Sequence, residues 1–227
     1  NPLHDNDSTL VPNKLNVVIL LLESFDKEHF GYYNRDLENG KYQGYTPFLD
    51  SLMQKSLVYT NAYANAHSSI SAPTSVLLSL PTLGLPYIVS NYSENRVKGL
   101  PFILSQNGYQ TTFSHGATNG SMKFDAFSKS TGFQSYFGNN EYNNPKDFDG
   151  TWGIWDEPFL LRQIDEMNAM KPPFFNFIFT VSSHDPFRIP NQYENQFPKG
   201  TLPLHQCVGY TDLALRKFFN QAKKQGY

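Results

Sequence analysis

The chain reads as an α/β protein, a mostly parallel sheet flanked by helices on both faces. Two short apolar runs, Val17–Leu22 and Phe174–Val181, have the length and near-continuous hydrophobicity of strands buried on both faces. Between them, stretches of helical periodicity alternate with further strand-like segments, the order expected of parallel sheets with crossover helices. No internal repeat or low-complexity tract argues for another architecture.

In chain order, residues 1–15 are polar and broken by Pro2 and Pro12, so they read as a lead-in arm to a domain over 16–227. Val17–Leu22 is expected as the central strand, ending at Glu23. Asp26 to Tyr45 carries three glycines and reads as a long irregular excursion. Thr46-Pro47 opens a helix whose face is Phe48, Leu49, Leu52, Met53 and Leu57. Val58 to Ala64 is expected as a second strand, and Pro73 to Leu80 as a buried helix preceded by serines. A helix over Leu100–Asn107 closes at Gly108, and Tyr109–Ser114 is a strand ending in His115-Gly116. Ser121 is expected to cap a short helix ending near Gly132, with loop from there to Asp156. Asp156 then caps Pro158–Met167. Phe174–Val181 runs into Ser-Ser-His-Asp-Pro-Phe, and a last helix spans Leu204 to Gln225 with Cys207 buried in it.

Composition narrows the partners. A net charge of −2 and a pI near 6.3 give no electrostatic footprint for nucleic acid, so none is expected as a partner. The lone Cys207 excludes an internal disulfide and a cysteine-built metal site. The sequence shows no signal peptide and no stretch long enough to span a bilayer. The start without Met and the stop at the end of a helix suggest a piece of a longer chain.

The chemistry-bearing residues gather where α/β sheets bind ligands, beyond the carboxyl ends of strands. Glu23, His115 and His184 all fall at such ends, and Ser68-Ser69-Ile70-Ser71 opens a helix that follows a fourth. A buried acid is costly unless it meets a cation. A helix N-terminus attracts phosphate or sulfate. A divalent metal would supply the cation and lower the pKa of a coordinated hydroxyl, making a serine nucleophilic. No G-x-S-x-G elbow, Walker A loop, dinucleotide fingerprint or H-E-x-x-H is present.

Five segments in order carry a family resemblance: N-V-V-I-L-L-L-E-S, the S-I-x-x-x-P turn, H-G-A-T-N-G-S-M, W-G-I-W-D-E-P-F and S-S-H-D-P-F. From about residue 14 onward the chain resembles the lipoteichoic acid synthase-like branch of the sulfatase/alkaline phosphatase superfamily. The resemblance implies an alkaline-phosphatase-like (sulfatase-like) fold, truncated here before its last metal-binding strand. It implies a metal-dependent transferase or hydrolase on the extracytoplasmic side of the membrane, periplasmic in some organisms, tethered by segments outside this sequence. Its substrates would be phospholipid or glycan head groups bearing phosphoglycerol, phosphoethanolamine or sulfate. The divalent metal would be manganese first, with zinc, magnesium or calcium as alternatives; oligomeric state is left open.

Carried over by position, Glu23 matches the metal-binding acid and Ser69 the nucleophile, itself a metal ligand. His184 matches a substrate-side histidine, and His115 is expected near the substrate or in a supporting role. Ser71 competes with Ser69, because Ser71-Ala72-Pro73-Thr74 resembles the sulfatase turn; the apolar pair Val76-Leu77 favours counting from Ser69. The chain departs from its relatives at Ser68 and Ser75, and in lacking the Trp and Arg expected around Met122 and Phe124. The family's Asp-His metal pair lies beyond Tyr227, so this piece is expected to bind metal poorly and to be inactive. The rival readings are a sulfatase on the same scaffold and a non-catalytic polyanion- or glycan-binding module. Plainer roles compete for each residue: Glu23 as a surface acid, Ser69 as a helix cap, His184 bonded to a loop carbonyl, and Asp185 as a turn former. Trp152 and Trp155 would be packing residues or pocket walls, and His67 and His205 ordinary polar residues.

Overall fold

The computed structural model describes residues 13–82 and 84–227; most of the lead-in arm, residues 1–12, lies outside them. Four parallel strands form one sheet: β1 (Val17–Leu21), β2 (Gln110–His115), β3 (Ser135–Phe137) and β4 (Phe174–Phe179), in the order β1-β4-β2-β3. Seven α-helices accompany them among the described residues: α1 (Pro47–Met53), α2 (Ala72–Leu78), α3 (Leu100–Gln106), α4 (Phe124–Thr131), α5 (Asn139–Tyr142), α6 (Asp156–Ala169) and α7 (Leu204–Lys224).

The sheet separates two apolar cores, and the period-two alternation of β4 feeds both. Phe174 and Ile178 face α6 and α7, where they meet Phe159, Leu160, Ile164, Ala214 and Leu215. Phe175, Phe177 and Phe179 face the other layer, with Phe113, Phe124, Phe127 and Leu77. On the α6 face, between Phe174 and Ile178 along the strand, sits Asn176, fully buried, whose amide accepts from the Ser114 hydroxyl at 2.9 Å and donates to Gln163 Oε1 at 3.2 Å. A polar side chain in a β strand this apolar is tolerated because both ends of its amide are satisfied.

Several expectations are corrected. β4, not β1, is the fully buried strand with neighbours on both sides; β1 lies at one edge of the four strands and is only half-buried. Its alternate residues still reach both cores, Val18 and Leu20 one, Val17 and Ile19 the other. A continuous apolar run therefore reported two covered faces, but faces carry no information about edges. Residues 58–64 form no strand: Tyr59 and Tyr63 are 71% and 89% exposed, and Leu57, outside α1, is 83% exposed. The stretch read as loop before Asp156 contains β3 and the short α5. Ser121 opens a single 3₁₀ turn instead of capping α4, which begins after Lys123. Asp156 is the first residue of α6, not its cap, and its carboxylate bonds away from the helix to the end of β4.

Candidate active site

The ends of β1, β2 and β4 and the turn before α2 meet around a cavity of about 100 Å³. Glu23, Ser68, Ser69, His115 and His184 line it, with Ile70, Met122, Phe124 and Trp152 as its apolar walls. Among the described residues no Lys or Arg faces it. Larger and more open grooves exist, such as the one bordered by Gly31, Arg35 and Asp50, but none of them collects hydroxyl, carboxylate and imidazole groups together.

Glu23 is 6% exposed and fixed by its backbone. Its N–H donates to Thr180 Oγ1 at 2.9 Å, and its carbonyl accepts from Ser183 Oγ at 2.6 Å. Both partners stand just beyond β4, so the strand beside β1 sets where β1 ends. The carboxylate accepts one hydrogen bond, from Ser24 Oγ at 2.8 Å, and among the described residues it pairs with no cation. Ser24, with φ of 54°, turns the chain away directly afterwards.

A 3₁₀ turn over Ser69–Ser71 leads into α2. Ser69 is half-buried at the cavity, whereas Ser71 is 1% exposed, lies outside the lining and has a hydroxyl with no partner among the described residues. Of the two serines that compete as nucleophile, only Ser69 thus borders the cavity. Ser68, exposed, borders it too. No histidine or carboxylate bonds the Ser69 hydroxyl among the described residues.

The two histidines differ. His115 is buried, its ring stacked on Phe179 at 4.7 Å and set edge-on to Phe124 at 5.1 Å. Burial pushes its pKa down to about 4, and the nearby His184 adds to this against the opposing hydrogen bond to Phe179. The ring is therefore neutral at physiological pH. Its Nδ1 lies 3.0 Å from the Phe179 carbonyl oxygen. A carbonyl only accepts, so Nδ1 carries the proton and Nε2 is left as an acceptor. His184 is half-buried; its Nδ1 donates to the Asp185 carbonyl at 3.0 Å, the loop-carbonyl bond that was one of its two readings, and it also lines the cavity. The Trp152 ring lies 4.2 Å from the His184 ring, and its indole N–H donates to the Asp185 carbonyl. Trp152 is thus a wall of the pocket, while Trp155 packs against Tyr210.

The donors present decide whether a divalent cation fits. Glu23 and Ser69 offer a carboxylate and a hydroxyl, hard oxygen donors suited to such an ion, and the buried carboxylate lacks a cation. They are two donors of a larger set: no group of three His, Cys, Asp or Glu among the described residues could hold an ion. The residues present fit a metal as part of its shell.

Sequence reading missed Thr180 and Ser183, the hydroxyls that fix Glu23. The signal was present in the run Thr-Val-Ser-Ser-His after an apolar strand, where hydroxyls are out of place unless they bond something. His205, read as an ordinary polar residue, is buried and stacked on Tyr45 at 4.1 Å. His67 is exposed, and Cys207 is buried as expected.

Known proteins share this fold. The sulfatase family model matches residues 15–227. The lipoteichoic acid synthase of Staphylococcus saprophyticus is 28% identical over 227 residues, covering 94% of this chain and 34% of that protein. A solved alkaline phosphatase superfamily protein from Vibrio parahaemolyticus superimposes with a TM-score of 0.81 at 30% identity, covering 94% of this chain and 51% of that one. The lipoteichoic acid synthase LtaP from Listeria monocytogenes follows at 0.71 and 24%, covering 94% of this chain and 53% of that one. The chain spans about a third of the length of the sequence relatives it matches. Among the described residues no helix is long and apolar enough to cross a membrane. With the family model running from just before β1 to the last residue given, the chain belongs to the sulfatase family and shares the fold of the alkaline phosphatase superfamily.

Proposed function

We propose that this chain is part of a metal-dependent phosphotransferase or phosphoester hydrolase of the cell envelope, with Ser69 as its nucleophile. The observation that carries the reading is the convergence of Glu23, Ser69, His115 and His184 on one cavity, from four separate parts of the chain. Glu23 and the Ser69 oxygen would hold a divalent ion, manganese first among the candidates, and further donors would come from outside these 227 residues. Once bound, the ion would supply positive charge for an anionic substrate and make the serine hydroxyl easier to deprotonate.

Ser69 Oγ attacks phosphorus, and the bond from phosphorus to the departing alcohol breaks, leaving a phosphoserine. Water or a second alcohol then attacks that phosphorus and frees Ser69. With Nδ1 engaged by the Asp185 carbonyl, His184 has Nε2 for the substrate, where it steadies an anionic oxygen or the leaving group. His115, held neutral with Nε2 as acceptor, meets a hydrogen-bond donor of the head group instead of a phosphate oxygen.

We take the substrate to be a phospholipid or glycan head group and the site to lie on the extracytoplasmic face of the membrane, a reading supported by relatives named lipoteichoic acid synthase, a neighbour named phosphoglycerol transferase and another named as a periplasmic domain. The test is a panel of aryl phosphate, phosphodiester and aryl sulfate substrates on a protein extended to its relatives' length, with Ser69→Ala as control. Phosphodiester turnover lost in Ser69→Ala supports the reading. Preference for the aryl sulfate would make it a sulfatase, and a Ser69→Ala variant unchanged in every assay would leave a binding module.

A further inference from the structure

We propose that Asp156 is a positioning residue, setting the turn after β4 that carries His184 and, through the same turn, the backbone of Glu23. Its catalytic consequence rests on the phosphotransfer reading above; its geometry does not. The carboxylate is 1% exposed, and among the described residues no Lys, Arg or His pairs with it. A residue beginning a helix ordinarily bonds the helix's own free N–H groups. Asp156 makes no such bond. Oδ1 accepts from Val181 N at 2.8 Å and Ser182 N at 3.2 Å, and Oδ2 accepts from Thr211 Oγ1 at 2.7 Å. Its own N–H donates to Ser182 Oγ at 2.8 Å. Every bond of this side chain therefore runs to the end of β4 or to α7.

Each peptide held this way is one step from the cavity. The Val181 carbonyl accepts from His184 N at 3.1 Å, and Ser183, next after Ser182, bonds the Glu23 carbonyl. Trp152, four residues ahead of Asp156, holds the far side of the same turn through the His184 ring and the Asp185 carbonyl. The segment Trp-Gly-Ile-Trp-Asp thus clamps Ser-Ser-His-Asp from both sides, which gives a physical role to a motif the chemistry alone left unused. A buried carboxylate with no cation partner is an expensive way to start a helix. It is explained by the two backbone N–H groups it fixes, which a shorter or apolar side chain cannot reach.

The test reads the Trp152 indole N–H by ¹H–¹⁵N correlation spectroscopy, which needs neither metal nor substrate. The chain has two tryptophans, so Trp155→Phe assigns the peak, and His184→Ala gives the shift expected when the neighbouring ring is lost. Asp156→Ala should shift the Trp152 peak to a comparable extent or broaden it away, whereas Asp156→Asn, which keeps an acceptor oxygen, should leave it near its wild-type position. A folded Asp156→Ala protein with the Trp152 peak unmoved overturns the proposal. If Asp156→Ala does not fold, Asp156→Glu decides: the added methylene displaces the carboxylate, so the peak should move, and an unmoved peak overturns the proposal. Since the readout is independent of turnover, a shifted peak in this chain, together with no phosphate transfer by the protein extended to its relatives' length, would sink the Ser69 reading and leave this one standing.

Discussion

The Ser183 hydroxyl donates to the Glu23 carbonyl oxygen at 2.6 Å, joining positions 160 residues apart in the chain. With the bond from Glu23 N–H to Thr180, it locks the end of β1 to the end of β4 and leaves the Glu23 carboxylate at the cavity. Ser183→Ala leaves a buried carbonyl without its partner. It should destabilise the fold by about 1–3 kcal/mol, read from urea unfolding midpoints. A loss below about 0.5 kcal/mol would mean the turn does not depend on this bond.

Asp212 of α7 accepts from the Phe48 and Leu49 amides, both at 2.9 Å, and so caps α1 from another helix. Burial pushes its pKa up to about 6, against the lowering effect of those amides. A folded-state pKa above the unfolded value of about 3.9 favours the folded protein at low pH. That contribution is complete below about pH 4 and is lost as pH rises through about 6, with a slope of at most about 1.4 kcal/mol per pH unit. The stability of the wild type minus that of Asp212→Asn should therefore fall across this window and level off above it. A difference that rises across the window contradicts the assignment.

Trp152→Ala removes both the ring beside His184 and the donor to Asp185. In a catalytically competent longer protein, turnover should fall by about 10- to 100-fold, the scale of an ångström-sized misplacement of a working group. Melting temperature should change little, because Trp152 is a half-buried residue outside both apolar cores. Full turnover in a folded Trp152→Ala protein would remove His184 from the mechanism.

Calorimetric titration with Mn²⁺ tests the cation site without any substrate. The 227-residue chain should bind weakly, since it offers two donors, and a protein extended to its relatives' length should bind much more tightly. Glu23→Gln in the longer protein should lower affinity by at least about 10-fold, the lower end of what losing even an outer-shell partner costs. Equal affinity with and without the extension would mean that no donor outside these residues takes part.

How legible all this was depended on what kind of signal each residue leaves. Phe174–Val181 and Leu204–Gln225 were readable because strand and helix periodicity are local properties, and β4 and α7 stand close to the expected bounds. The strand expected over 58–64 failed because Val58, Tyr59, Thr60 and Tyr63 are residue types favoured in strands, although the chain here is simply exposed. β3 is three residues long, too short to show a period. Edge and centre in the sheet are decided by pairing between distant segments, which no window of sequence contains. Glu23, Ser69, His115 and His184 were legible as residues at element ends, and the structure brings all four to one cavity. Asp156 was misread because helix capping is the commonest role for an Asp at that position, and only the tertiary fold shows its carboxylate turned to β4.

The central claim is that Ser69, and no neighbouring serine, receives the phosphoryl group. Acid quenching of the extended protein during turnover of a phosphodiester, followed by peptide mass spectrometry, reads this directly. The added mass of the transferred group should sit on Ser69 and vanish in Ser69→Ala. Mass found on Ser68 or Ser71, or product formed with no modified serine at all, would contradict it.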